Sequence, residues 1–431
     1  MAIGTYWKNA MRILFLTNAY PPLGGGGYEQ LCKEVADGLK ARGHEVGVVT
    51  SNYRVADIPL AEQGVYRILN HEVDLRRYRG TLGFFTNRKQ RLQETLLRFQ
   101  EILTNFQPDI LFVWSMWNLP PELLVLAGGW PSLKIVYYLA DYWPTLPDAY
   151  TLHWQETARR WYTLLPKLLL GRIALATQAQ RNRTSELKFE HALCVSQAVR
   201  QRLIADGVLS TEARVVHNGI DLAPFLAAGE LRPRHQPRDH LTLLYAGRIE
   251  PIKGVHTAIE AVAELSYRGH AVTLTLVGGR DPNYLKKLHH LCERLKVSDR
   301  VEFLKPVSRE QMPELMAQFD VLIFASIWPE PLARIVQEAM AVGLVVVGTD
   351  VGGMSEILID GMNGLTFTPE DAKELAIQIE RLILDANLRH QFIEAGQQTT
   401  REKFNIEHML DQVETYLQDL VVKQRASYHN R

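Results

Sequence analysis

The feature that most constrains this chain is a supersecondary plan that occurs twice. Met11–Asn18 (MRILFLTN) is an apolar run suited to a strand buried on both faces. A Pro/Gly loop follows, Pro21-Pro22-Leu23-Gly24-Gly25-Gly26-Gly27, and Tyr28–Ala41 then places Leu31, Val35 and Leu39 at helical spacing. Arg42-Gly43-His44 predicts the stop, with Gly43 in the left-handed position, and Val46–Thr50 predicts the next strand. The second copy runs through a strand at Leu241–Ala246, a loop at Gly247–Gly254 and a helix at His256–Tyr267. It closes with Arg268-Gly269-His270 and a strand at Val272–Val277, followed by Gly278-Gly279. Each copy has the size of a βαβ element. The expected fold class is therefore α/β, with two doubly wound, Rossmann-like domains. The likeness of the copies needs no gene duplication, since βαβ physics alone produces it.

A chain of 431 residues also exceeds one ordinary core. The expected domains are 11–225 and 236–405, joined near 222–240, where Leu231–Asp239 is rich in Pro and charge. The turn signal Asn218-Gly219 precedes the join. Segment 406–425 carries Met409, Leu410, Val413, Leu417 and Leu420 at helical spacing, and packing back on the first domain is one of its options. Lys+Arg and Asp+Glu both number 48, so no global field recruits nucleic acid, and none is expected as a partner. Cys32, Cys194 and Cys292 are odd in number and far apart, which predicts free buried thiols in a reducing compartment rather than a disulfide framework or a zinc site. Without an apolar run of about twenty residues, or an apolar signal core in the first ten residues, a cytoplasmic location is expected. Residues 1–10 read as an extension.

Two segments carry the chemistry. Gly247-Arg248-Ile249-Glu250-Pro251-Ile252-Lys253-Gly254 places two cations in a strand-to-helix loop, where open α/β sheets bind ligands. Arg248 can offer a bidentate fork and Lys253 a mobile charge, a pairing that suits a diphosphate. The alternative is two solvated loop cations. The second segment is Ser326-Ile327-Trp328-Pro329-Glu330-Pro331-Leu332-Ala333-Arg334-Ile335-Val336-Gln337-Glu338-Ala339-Met340, which follows the apolar run Asp320–Phe324. Pro331 predicts the first turn of a helix, with Glu330 beside its N-terminus and Glu338 about two turns on. Two carboxylates near one cleft can accept hydrogen bonds from paired sugar hydroxyls. The alternative makes Glu330 a partner of the helix dipole and Glu338 an exposed helix residue.

Together these segments resemble the retaining GT-B glycosyltransferases of family 4. Gly247–Gly254 matches that family's G-R-x-x-x-x-K-G loop, and Glu330 with Glu338 its E-x7-E motif. Gly26-Gly27-Tyr28-Glu29 matches G-G-x-E, and Asn218-Gly219-Ile220-Asp221 the N-G-[VI]-D turn. Gly352-Gly353-Met354-Ser355-Glu356 and Asp360-Gly361-Met362-Asn363-Gly364 fit the run after the second Glu, so the likeness covers roughly residues 11–420 in the family's order. The resemblance implies two domains facing across a cleft and transfer of a sugar, with retention, from a nucleotide-diphosphate sugar. It implies that Arg248 and Lys253 hold the diphosphate, Glu338 the ribose and Glu330 the transferred sugar. Backbone N–H groups of Leu332 and Ala333 would reach the sugar or phosphate, and main chain near Val307 the base. Gly26 and Gly27 would approach the donor phosphates. The expected donor is a UDP, GDP or ADP sugar, with no permanently bound cofactor. The absence of any D-x-D triplet gives no sign of a divalent metal.

The chain departs from the pattern at Ala140, where many members have His, so the role that His has on the donor sugar is vacant or moved to Asp141, which reads equally as a capping residue. Leu332-Ala333 replaces a common Phe-Gly, and Val345 and Ser355 replace frequent prolines. These departures keep open a non-catalytic protein that binds nucleotide or glycan. The glycine loop after the first strand raises a Rossmann oxidoreductase instead, against which Glu29 crowds the place of a pyrophosphate.

The acceptor reading rests on the N-terminal half. Arg76-Arg77-Tyr78-Arg79, Phe84-Phe85 and Arg88-Lys89-Gln90-Arg91 mix cations with aromatics, as do Arg159-Arg160-Trp161-Tyr162, Lys167-Leu168-Leu169-Leu170 and Arg172. Such segments suit an anionic or lipid-linked acceptor, or peripheral contact with the anionic inner face of a membrane, and the acceptor is expected to be a glycan, a lipid-linked or a small molecule. The alternative is a solvated helix face whose leucines are core. Trp114, Trp117 and Asn118 are candidates for stacking on an acceptor sugar or for cleft-lining core.

Overall fold

The apolar runs that open both copies of the plan form buried parallel strands. The computed structural model describes residues 10–24, 26–54, 62–73, 80–147, 149–156, 164–179, 187–231, 240–279 and 281–429. Arg76-Arg77-Tyr78-Arg79 and Arg159-Arg160-Trp161-Tyr162 lie outside the described residues, as do Gly25, 1–9 of the expected extension, 232–239 of the expected linker and the side chains of Phe84 and Phe85.

The first sheet contains β1 (Arg12–Thr17), β2 (Glu45–Ser51), β3 (Val65–Leu69), β4 (Ile110–Ser115), β5 (Lys134–Leu139), β6 (Ala192–Cys194) and β7 (Arg214–Val215). Its order is β3-β2-β1-β4-β5-β6-β7, and every pairing is parallel. The second sheet contains β8 (His240–Ala246), β9 (Ala271–Val277), β10 (Val301–Leu304), β11 (Val321–Phe324), β12 (Val345–Thr349) and β13 (Leu365–Phe367). Its order is β10-β9-β8-β11-β12-β13, again all parallel. Each sheet thus reverses its winding beside its first strand, between β1 and β4 and between β8 and β11. Such a switch point opens a crevice at the carboxyl ends of the strands.

Strands covered on both faces need near-continuous apolar runs, which is why Ile13–Leu16 and Leu322–Ile323 are wholly buried. The helices Gly27–Ala41 and Val255–Tyr267 turn one apolar face inward and end at Gly43 and Gly269, both with positive φ.

The chain packs as two units, residues 1–195, 199–216 and 410–431 in one and 196–198 and 217–409 in the other. Residues 217–225, assigned from the sequence to the first domain, lie in the second unit. The helix Ile406–His429 joins the first unit from Leu410 onward. A Cβ on Gly38 would lie 2.5 Å from Leu410 Cδ1, and Arg42 bridges Asp411 and Glu414 at 2.8 Å each. All three cysteines are buried and free. Leu164, Leu165, Leu168, Leu169 and Leu170 of the helix Leu164–Ala179, core in the alternative reading of this segment, are exposed.

Candidate active site

Gly247–Gly254 leaves β8 at its carboxyl end. The Gly247 N–H donates to the Val277 carbonyl at 2.9 Å and the Ile249 N–H to that of Gly279 at 2.7 Å, which ties the loop to the end of β9. Pro251–Lys253 forms one turn of 3₁₀ helix, closed by Gly254 at φ 63°. A Cβ there would lie 1.9 Å from the Ala325 carbonyl oxygen, so both conformation and space demand glycine. The Ile252 carbonyl accepts from the N–H groups of Ile327 and Trp328, at 2.9 and 3.2 Å. That fastens the turn to the loop after β11.

This fastening brings Lys253 to Glu330. The Lys253 ammonium donates to Glu330 Oε1, and Ser326 Oγ donates to the same oxygen at 2.6 Å. Only 16% of the lysine side chain and 12% of the glutamate remain exposed. Arg248 is different. Its side chain is mostly exposed, with Nη1 3.2 Å from the Glu250 carboxylate, while the Tyr245 hydroxyl fixes its carbonyl at 2.7 Å. The two cations share the loop but present differently: Lys253 is engaged and Arg248 is extended toward solvent.

The helix that follows starts later than Pro331 predicts. It spans Arg334–Val342, with Ala333 as an extended N-cap residue. Pro331-Leu332-Ala333 stays non-helical because contacts distant in sequence hold it. Asn218 Nδ2 donates to the Leu332 carbonyl at 3.2 Å, and the Gly353 N–H donates to the Glu330 carbonyl at 2.7 Å. A Cβ on Gly353 would lie 1.9 Å from the Pro331 oxygen. Asn218 also accepts from Gln337, on its carbonyl at 3.1 Å and on Oδ1 at 2.7 Å, so one residue sets both the entry and the second turn of this helix. Ala333 has no side-chain acceptor for the first-turn amides, which suits a helix start that receives an anion.

Glu338 is not the exposed helix residue of the alternative reading. Its side chain is 5% exposed and accepts from Arg309 Nη1 at 2.9 Å. Arg309 lies in the loop after β10, two residues beyond the half-buried Val307. The loops after β8, β10 and β11 therefore contribute Arg248, Lys253, Val307, Arg309 and Glu330, and the helix from Arg334 adds Glu338. This set of two carboxylates, each held by a cation, and one solvent-facing arginine can bind hydroxyls and phosphate oxygens together. Nearby, desolvation of the half-buried Glu356 would raise its carboxyl, but hydrogen bonds from His217 at 2.9 Å and from the N–H groups of Gln197 and Ala198 outweigh it and hold the carboxyl below the usual range.

The first unit holds Gly26, Gly27 and Asp141. Glu29, in the first turn of the helix, folds back over the glycine loop: a Cβ on Gly26 would lie 2.3 Å from Glu29 Oε2. Tyr28 hydrogen-bonds the carbonyls at the ends of β4 and β5, Trp114 and Tyr138, the latter at 2.7 Å. Asp141 follows β5 and accepts from the Trp143 N–H at 2.9 Å, the capping geometry of an Asx turn. Burial pushes its carboxyl up to about 6; the Trp143 N–H opposes the rise and the Glu29 charge adds to it. Trp114 is fully buried against Phe15, Phe112 and Tyr138, and Asn118 is buried while bonding both main-chain polar groups of Val73. Both are core, and Trp117 alone of the three is exposed.

Sequence reasoning missed Arg309, Ser326 and the positioning role of Asn218. Ser326 sits four residues before Glu330, a spacing that by itself assigns it no role. Arg309 carried no signal, because its partner lies 29 residues away.

Two family models match the chain, "Glycosyltransferase Family 4" over residues 25–224 and "Glycosyl transferases group 1" over residues 229–399. Spore coat protein SA of Bacillus subtilis is 30% identical over 208 residues, 44% of this chain and 54% of that protein. The chain spans about half the length of the first curated relatives it matches. An uncharacterized glycosyltransferase of Methanocaldococcus jannaschii is 24% identical over 92% of this chain and 95% of its own. Among solved structures, Anabaena HepE in complex with UDP and glucose superposes with a TM-score of 0.65 at 24% identity, over 95% of this chain and all of that one. That likeness concerns the fold.

Proposed function

The chain belongs to the group 1 glycosyltransferases of family 4, and from that membership we propose that it transfers a sugar from a nucleotide-diphosphate sugar to a hydroxyl acceptor with retention. What supports the reading is that the loops after β8 and β11 pair Lys253 with Glu330, and that Arg309, in the loop after β10, pairs with the buried Glu338, while Arg248 stays exposed beside them in sequence. Arg248 and Lys253 receive the diphosphate, and Glu338 accepts from the ribose hydroxyls. Glu330 meets the transferred sugar, and the amides of Leu332 and Ala333 reach it from the helix start. Main chain near Val307 faces the base. UDP, which the similar Anabaena HepE binds, is the first nucleotide to try, with GDP and ADP beside it.

In the reaction, the bond from the anomeric carbon to the diphosphate oxygen breaks, and its electron pair leaves with the phosphate. The acceptor oxygen bonds the same face of that carbon and yields its proton to the departing phosphate oxygen. Cations and a helix start aimed at the leaving phosphate stabilise the charge as it develops. With that role carried by Arg248 and Lys253, and no D-x-D triplet in the chain, transfer proceeds without a divalent metal.

The test is a screen of UDP-, GDP- and ADP-sugars for slow donor hydrolysis, with nucleotide titration of Arg248→Ala and Glu338→Ala. Saturable binding that collapses in both variants is expected. Unchanged affinity in both removes the site assignment, and binding with neither hydrolysis nor transfer to any acceptor favours a non-catalytic binding protein.

A further inference from the structure

The helix Leu164–Ala179 is built in reverse of a helix in water. Its inward residues are small: Gly171 and Ala174 are buried, and a Cβ on Gly171 would lie 3.4 Å from the Trp154 ring. Ala174 forms a small cluster with Trp154 and Val73, with Leu175 packed against it. Apart from Leu175, the large apolar residues point the other way. Leu165 is 69% exposed, Ile173 62%, Leu169 58% and Leu168 57%, and Leu164 and Leu170 are exposed too. Single exposed leucines are ordinary, but a contiguous set on one helix marks a surface that meets something apolar.

Charge identifies that partner. From residue 157 to residue 185 the sequence contains Arg159, Arg160, Lys167, Arg172, Arg181 and Arg183, and neither Asp nor Glu. The whole chain is balanced between its cations and carboxylates, so this excess of cations is local. No described helix is long and apolar enough to cross a membrane. A leucine-rich helix face that cannot span, set in a purely cationic stretch, fits the boundary of an anionic bilayer: leucines enter the acyl edge while Lys and Arg meet phosphate headgroups. We propose that the outward face of Leu164–Ala179 docks this protein on anionic lipid.

The experiment uses the full chain and co-flotation with two kinds of vesicle, phosphatidylcholine alone and phosphatidylcholine with phosphatidylglycerol. Flotation with the anionic vesicles, weakening as salt rises, is expected. The triple variant Leu165→Ser, Leu168→Ser, Leu169→Ser is expected to lower partitioning at least about tenfold. Its melting temperature and nucleotide affinity should stay unchanged, because the three side chains face outward. No flotation, or equal flotation with both vesicles, overturns the proposal. So does a concentration-dependent dimer in sedimentation that the triple variant abolishes while vesicle binding is absent, since the face would then belong to a second copy. A variant that floats as well as the parent overturns the choice of helix.

Discussion

Lys253 and Glu330, 77 residues apart in sequence, form an ion pair that is almost closed to solvent, and Ser326 donates to the same carboxylate oxygen. A pair so enclosed is worth little as a net stabiliser, because desolvation offsets the attraction, but removing one partner strands the other. Lys253→Ala is therefore expected to lower stability by about 1–3 kcal/mol, at the low end for a buried pair because some solvent reaches it. On the proposed reaction it also removes a cation from the leaving diphosphate, which places the loss in turnover at about 10²–10³-fold. Calorimetric melting and donor hydrolysis read the two effects separately. Wild-type turnover in Lys253→Ala would sink the assigned role.

Arg309 and Glu338 give a second prediction. Arg309 holds the buried Glu338 carboxylate at 2.9 Å. Glu338→Ala is expected to weaken nucleotide affinity by about 10–100-fold, the loss of hydrogen bonds to a charged acceptor. Arg309→Ala leaves the carboxylate in place without the guanidinium that orients it, so it should weaken affinity less, by about 3–10-fold, and Arg309→Lys should recover part of the loss. Nucleotide titration of the three variants checks both. An Arg309→Ala variant that binds as the parent does argues against its positioning role.

The same geometry shows what was legible in the sequence and what was not. The two α/β domains follow from local signals: apolar runs for strands covered on both faces, glycines at loop ends and helical spacing between them. The late start of the helix at Arg334 was not legible. Pro331 alone favours a first turn, but Asn218 and Gly353 hold Pro331-Leu332-Ala333 out of the helix from more than a hundred and from about twenty residues away. Arg309 was invisible for the same reason. Whether the leucines of Leu164–Ala179 are core or surface stayed open in the sequence, because periodicity says which residues share a face, not whether that face turns inward.

Asp141 predicts a dependence of stability on pH. Its carboxyl is raised from an ordinary 3.8 to about 6 in the folded chain. The folded state therefore binds more protons than the unfolded one between those values, and stability falls as pH rises through that window. The ionised carboxylate costs on the order of 2–3 kcal/mol above pH 6. Asp141→Asn keeps an oxygen for the Trp143 N–H and loses the charge, so it should be more stable than the parent at pH 7.5 and close to it at pH 4. Denaturant midpoints at the two pH values decide this, and equal differences at both would contradict the raised carboxyl.

Two glycines with left-handed backbone separate conformational strain from crowding. Gly269 has φ 86° and open space where a Cβ would stand, whereas Gly254 has φ 63° and the Ala325 carbonyl oxygen 1.9 Å from that position. Gly269→Ala is expected to cost about 1–2 kcal/mol, the strain of a non-glycine residue in the left-handed region. Gly254→Ala adds a backbone clash that no side-chain rotation relieves, for a total of about 2–5 kcal/mol. The two should differ in function as well. Relief of the clash must push Gly254 from Ala325 and carry the adjoining Lys253 away from Glu330, so Gly254→Ala loses donor binding while Gly269→Ala retains it. Thermal melting with nucleotide titration on both variants tests the pair, and equal affinity in the two would show that the Lys253 turn tolerates the shift.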